Sequence, residues 1–184
     1  MGRSCAGEDG DVMFRFVSAV FALVSSAGIA IAAQRAAVFP FELVIPPKEE
    51  DFYVGSAKPD QAEKVRLKLV YDEFVRLMSA NGRIEAVDLS PLAAEIEAKS
   101  PIYECKGCEI DLARKAGAEI AYIIVLEKAS DTLLNLNLTE VDVARSTVTR
   151  RVSAVVNGNT DDAWLGIVRW VVRNRLTIKQ ETTP

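Results

Sequence analysis

The chain has 184 residues, 49% of them hydrophobic, and a formal net charge of −4. A single domain with a proper core is the default at this size. The acidic balance argues against a nucleic-acid partner, because such modules carry a basic face. Histidine is absent, which removes the commonest general base, the commonest zinc ligand and any Cys-x-x-Cys-His haem attachment.

Residues 1–12 hold Glu8, Asp9 and Asp11, the wrong sign for the start of an export signal. They read as an extension upstream of a true start at Met13. Beyond it stands one arginine, Arg15, and then an uncharged run from Val17 to Ile31 closed by small residues. This is the pattern of a Sec-type signal peptide over 13–32, with cleavage expected between Ala32 and Ala33. The run is shorter than the ~20 apolar residues of a membrane span, so no span is expected after cleavage. The mature part, 33–184, reads as a single periplasmic α/β domain. Cleavage removes Cys5 and leaves Cys105 and Cys108. An even count in an oxidising compartment argues for one disulfide.

The first strand is expected over 35–45, with Pro40 at an edge or bulge because it has no N–H to donate. Residues 48–59 form a polar loop. Asp60 caps a helix over 61–80 whose Leu67, Val70, Phe74, Leu77 and Met78 share one face, and Asn81-Gly82 stops it. A strand follows over 83–89, then a short helix with Ser90 as N-cap and Pro91 in its first turn. After the cysteine pair, 109–116 forms another short helix, ended by Gly117.

Ile120 to Leu126 is continuously apolar, the mark of a central strand covered on both faces. Leu134, Leu136 and Leu138 alternate with Asn135, Asn137 and Thr139, a half-buried strand. Val141 and Val143 fall out of that phase, which predicts a β-bulge near Thr139-Glu140. A turn at 142–146 leads into a strand over 147–156. There Val148, Val152, Ala154 and Val156 are expected on one face, with Arg150 among them. Thr160 caps the last helix, and Asp161 and Asp162 suit the positive end of its dipole. Trp164, Ile167, Val168, Val171 and Val172 make its buried stripe. The order β-α-β-α-α-β-β-β-α predicts an α/β (α+β) sandwich, a mixed sheet with helices on one or both faces.

Val38-Phe39-Pro40-Phe41-Glu42 resembles the first strand of the TolB amino-terminal domain and of CsgG-like periplasmic domains. Ala116-Gly117-Ala118-Glu119 leading into a strand, followed by two strands joined near Val141-Asp142, is similar to the same group. A nearer resemblance is to an uncharacterised bacterial exported family of domain-of-unknown-function type. It rests on the cysteine-rich start, the asparagine-rich strand, Gly158-Asn159-Thr160-Asp161-Asp162-Ala163-Trp164 and Val171-Val172-Arg173-Asn174-Arg175. The resemblance implies an anticodon-binding-like sandwich and a periplasmic home, and it supplies no catalytic residues. Ala144-Arg145-Ser146 stands where such relatives often carry Thr-Gly, which leaves the turn type there open.

Three places could carry function. Cys105-Lys106-Gly107-Cys108 at the start of a helix could be a thiol–disulfide centre, since a helix N-terminus favours a thiolate. The segment before it is too short and polar for the strand that such a site follows, and Glu104 and Glu109 oppose a thiolate. A local structural disulfide is therefore the favoured reading, and two thiolates without histidine leave a zinc shell incomplete. Asn159, Thr160 and Asp161 form a second candidate, a binding loop at a helix N-terminus, although the two aspartates oppose an anion and the plain alternative is a helix cap. Trp170 lies off the apolar stripe beside Arg169 and Arg173, a candidate partner surface. No metal or cofactor is expected. The chain reads as a non-enzymatic periplasmic accessory module that binds an envelope or periplasmic protein; a thiol–disulfide oxidoreductase using Cys105 and Cys108 is the alternative.

Overall fold

A computed structural model describes residues 33–46 and 58–176. The segments expected to be an extension and a signal peptide, most of the loop over 48–59 and the C-terminal tail lie outside the described residues. Among the described residues thirteen elements follow one another, and six strands form one mixed sheet. Its order is β3 (Ile84–Ala86), β1 (Gln34–Val38), β4 (Ile120–Lys128), β5 (Leu133–Asp142) and β6 (Thr147–Asn157). The short β2 (Glu42–Val44) also pairs with β4. β1 runs parallel to β3 and β4, and β2 parallel to β4, while β4–β5 and β5–β6 are antiparallel hairpins. The first strand of the sequence reading is therefore two strands. Val38 ends one and Glu42 begins the next, with Phe39-Pro40-Phe41 stepping between them, because Pro40 cannot supply a ladder N–H.

β4 lies between β1 and β5 and is buried along most of its length. On one face its Tyr122, Ile124 and Leu126 join the main core with α1 (Gln61–Ala80) and α4 (Asp161–Val171). On the other, Ala121 and Ile123 pack with Ile96 of α2 (Ala93–Lys99), with Ile102, and with Leu112 and Ala113 of α3 (Cys108–Lys115). The continuous apolar run follows from this two-sided cover. In the main core Tyr71, Phe41, Phe74 and Tyr122 form an edge-on series with centroids 5.9, 5.7 and 5.5 Å apart.

α1 begins with a capping box. Asp60 Oδ1 accepts from the Glu63 N–H at 2.7 Å, and Glu63 Oε2 accepts from the Asp60 N–H at 2.9 Å. Buried Glu63 also takes Lys128 Nζ at 3.1 Å, so the helix start is fastened to the end of β4. β3 is shorter than the strand expected over 83–89, because after Ala86 the chain turns away toward a 3₁₀ turn at Ser90–Leu92. Ser90 is not the helix N-cap. Its own N–H and hydroxyl donate to the Asp88 carboxylate at 2.9 and 2.8 Å, and α2 starts three residues past it, at Ala93, without a side-chain cap.

The bulge falls on a different strand from the one expected. β4 and β5 pair without interruption from Ile120↔Asp142 to Lys128↔Leu134. Val141 and Val143 are out of phase with the leucines because the second face is covered at that end of the sheet, so both faces of β5 are apolar there. The register shift lies between β5 and β6. Glu140 faces Arg150 and Val141 faces Val148, so Thr149 is the extra residue. The bulge turns Val148 away from Val152, Ala154 and Val156, and its side chain is 44% exposed.

A buried polar cluster sits at the bulge. Glu140 accepts from the Tyr122 hydroxyl at 3.0 Å, Thr149 Oγ1 at 2.9 Å and Arg83 Nη2 at 3.3 Å, with Arg150 Nε at 3.9 Å. Burial, and then the Glu140 charge, push the Tyr122 phenol up to about 12. Arg150, ambiguous in the sequence, both faces Glu140 and donates to the Arg175 carbonyl at 2.7 Å.

Candidate interaction surface

The cysteine pair is closed. Cys105 and Cys108 form a disulfide across the turn that enters α3. Gly107 precedes the helix at φ +117°, a left-handed conformation that a side chain would strain. Glu109, in the first turn of α3, folds back over the loop. It accepts from the Gly107 N–H at 2.9 Å and lies 3.2 Å from Cys105 Sγ. Both cysteines are half-buried against the second core cluster, and Lys106 is exposed. Cys105, Cys108 and Glu109 are grouped closely enough to suggest metal ligands, but the two sulfurs are bonded to each other. A carboxylate this close opposes thiolate formation at Cys105, and the disulfide serves the loop as a clamp.

Every side chain of the Asn159–Asp161 loop is engaged within the chain. Thr160 Oγ1 accepts from the Ala163 N–H at 3.2 Å as the N-cap of α4. Asn159 Oδ1 accepts from Trp164 Nε1 at 3.0 Å and from Arg66 Nη1 at 3.2 Å. Asp161 pairs with Arg66 Nε at 2.7 Å. Fully buried Trp164 is thus an anchor whose N–H is satisfied by the loop that caps its own helix, and Arg66 ties that loop to α1.

Trp170 has a different environment. It is 40% exposed and lines a groove of about 490 Å³ between α4 and the outer side of β6, together with Val155, Val156, Ile167 and Gly166. Arg169 turns away and pairs with Glu73 of α1 at 2.7 Å. Arg173 is exposed one turn beyond Trp170. The cation that covers the indole is Arg175, its guanidinium 5.4 Å from the ring centroid. A π-helical turn over Val172–Leu176 brings these two together. On an α-helix residues five apart point in different directions, whereas a π-turn closes on i→i+5. That is why the sequence did not single out Arg175. Val155, 63% exposed on β6, was also missed, since an alternating strand gives no sign of which face is left open. Asn137 lies on that same open face, where it accepts from Ser153 Oγ at 2.7 Å.

The family model described as protein of unknown function (DUF2380), DUF3280, matches residues 34–176. The chain belongs to this family. Among solved structures, the DUF3280 chain is similar to a PelC dodecamer from Paraburkholderia phytofirmans, at 11% identity over 79% of this chain and 89% of that one, with a TM-score of 0.48. It is similar to lipoprotein GNA1162 from Neisseria meningitidis, at 14% identity over 80% and 99% of the two chains, with a TM-score of 0.48. TolB from Acinetobacter baumannii matches at 11% identity with a TM-score of 0.44; 79% of this chain covers 28% of that one. No curated protein matches the chain in sequence. Among the described residues of the DUF3280 chain, no helix is long and apolar enough to cross a membrane.

Proposed function

We propose that the mature chain, 33–184, is exported by a Sec-type signal and acts in the periplasm as a non-enzymatic accessory module that holds an envelope protein. The observation that carries this reading is Trp170, a large aromatic side chain left part-exposed in a groove beside β6, with Arg175 across its ring. Tryptophan and arginine dominate the energetics of protein interfaces. The surface meets no demand of the fold, whose core is completed by Trp164 and the rest of the α4 stripe. A pull-down from periplasmic extract with the mature chain is expected to retain an envelope protein, and Trp170→Ala to lose it without unfolding. Failure to retain any envelope protein would count against this reading.

The disulfide at the start of α3 supports a second reading, thiol–disulfide exchange through Cys105 and Cys108. It requires a Cys105 that reacts with alkylators near neutral pH once reduced, and exchange with glutathione. The nearby Glu109 carboxylate weighs against it. A Cys105 titrating at or above an ordinary thiol, with no exchange, removes it.

A further inference from the structure

β6 is the last strand of the sheet; among the described residues no strand lies beyond it. It is 11 residues long and contains no proline, so a row of N–H and C=O groups on its outer side is open to pairing. Natural edges of this length are usually blunted by proline, covered by other elements or made very short. Among the described residues only the bulge at Thr149 interrupts this one.

The groove behind the edge has a polarity. α4 runs back along β6, so Gly166, Ile167 and Trp170 lie beside Ser153 to Val156, while Arg175 reaches Arg150. The groove is lined mostly by apolar residues, and the cations lie past its Trp170 end: Arg173 and Arg175 are exposed on the turn after α4 and Arg151 on the open face of β6, and none of their guanidinium groups has a carboxylate partner among the described residues. Of the acidic groups nearby three are engaged, while Asp162, one turn before Gly166 on α4, is exposed without an ion-pair partner among the described residues. Glu140 is buried with Arg83, Glu73 holds Arg169, and Asp161 holds Arg66. In a chain of net charge −4 this is a local excess of positive charge.

Gly166 adds a separate observation. It sits in the middle of α4, where glycine is the poorest helix former apart from proline. A Cβ placed on it would meet nothing within 4 Å, and its backbone is not in the left-handed region. Neither local conformation nor internal packing requires a glycine there. Its missing side chain keeps the groove open.

We infer that the free edge of β6 takes an extended acidic and apolar segment of the partner polypeptide as an added strand, an apolar side chain entering the groove at Gly166–Trp170 and a carboxylate meeting Arg173 and Arg175. Backbone pairing supplies the affinity, and the alternate side chains supply the selectivity. A second copy of this chain suits the edge less well, because an antiparallel two-fold contact between β6 edges would set the arginine end of each strand against the apolar end of the other, with no carboxylate to meet the guanidinium groups. The inference rests on the interaction reading above and names the form that the partner presents.

The test uses the mature chain and a fluorescein-labelled ten-residue peptide alternating valine and glutamate, read by fluorescence anisotropy. Saturable binding is expected. It should weaken at least tenfold when alternate peptide amides are N-methylated, when lysine replaces glutamate, and in Gly166→Leu, which fills the groove. The double variant Arg173→Glu/Arg175→Glu should weaken it similarly. If Gly166→Leu does not fold, Val155→Glu at its exposed position gives the same readout by repelling the peptide. No binding, or binding indifferent to N-methylation, would overturn the inference. So would a wild-type dimer in sedimentation that Gly166→Leu converts to monomer, since the edge would then belong to a second copy. A pull-down in which Trp170→Ala loses the envelope partner while Gly166→Leu keeps it would leave the interaction reading standing and remove strand addition alone.

Discussion

At one edge of the sheet β3 offers three residues, Ile84–Ala86, and its Ile84 is buried with α1 before the chain leaves for the Ser90 turn. At the other edge β6 offers eleven residues, backed by α4 on one face and open on the other, where Val155 and Arg151 are exposed. A three-residue strand gives an incoming chain too few groups to pair with, whereas an eleven-residue strand gives a full register. The difference shows that the fold spends its covering elements unevenly. α2 and α3 close the second face over β1, β4 and the Val141 end of β5, and the rest of β5 and β6 is left to polar side chains, a bulge and arginines. The short edge offers little to pair with, and the long edge is the one for which strand addition is proposed.

The two tryptophans of α4 give the sharpest way to break this comparison. Trp164→Ala removes a fully buried ring and orphans an Asn159 contact; a loss of about 3–5 kcal/mol in denaturant unfolding is expected. Trp170→Ala, six residues on, should cost no more than about 1 kcal/mol and act on partner retention instead. Equal losses at the two sites would mean that the β6 side is as tightly packed as the core.

Glu140→Ala tests whether the bulge is held by its buried carboxylate. It strips the partner from Arg83 and from the Tyr122 hydroxyl, and about 3 kcal/mol of stability should be lost, because a buried cation is left uncompensated. A change below about 1 kcal/mol, measured by urea titration, would show that Thr149 and Arg150 hold the bulge without it.

Glu73 sharpens the comparison from the α1–α4 side. Hydrogen bonds from Arg76 and Arg169 hold its carboxyl down at about 2. A depressed carboxyl contributes stability that is present above its ordinary value of 4.5 and is lost as the pH falls from there toward 2. Both guanidinium partners are more than half exposed, so solvent screening limits the effect to about 1 kcal/mol. Unfolding curves of the wild type and Glu73→Gln should differ at neutral pH and converge by pH 2; parallel curves would remove the pair from the account of the α1–α4 contact.

The smallest effect expected is a gain. Gly166→Ala should stabilise the fold by about 0.5–1 kcal/mol, since alanine is the better helix former and the site has room for its methyl group. A loss in thermal melts would mean that the glycine serves packing and would take away the reason for linking it to the groove.

Much of this architecture was legible from local chemistry. Asp60, Asn81-Gly82 and Thr160 delimit α1 and α4 because capping is decided within one helical turn. The apolar run at Ile120–Leu126 marks β4, and the leucine alternation of β5 marks its buried face, since each face writes its own period. The even cysteine count left after cleavage and the acidic, polar surroundings of the pair made a disulfide the favoured reading, and the lack of histidine narrowed the chemistry.

Other features needed the whole molecule. Val141 and Val143 looked like a slip in β5 and proved to be the covered part of a second face, because burial of a strand face depends on helices far away in sequence. The bulge moved to Thr149, since register belongs to a pair of strands and not to one of them. Glu63, Glu73 and Glu140 are buried charges that no periodicity reveals, each made tolerable by basic partners from another element. The surface at Trp170 is of the same kind. The sequence marked the tryptophan as lying off the stripe. Only the tertiary structure set it beside an open strand edge, placed Arg175 on its ring through a π-turn, and turned Arg169 toward Glu73. The sequence alone determines where elements start, stop and bury their own apolar face; which edges and charges remain free is a sum over all the elements and is settled when they pack.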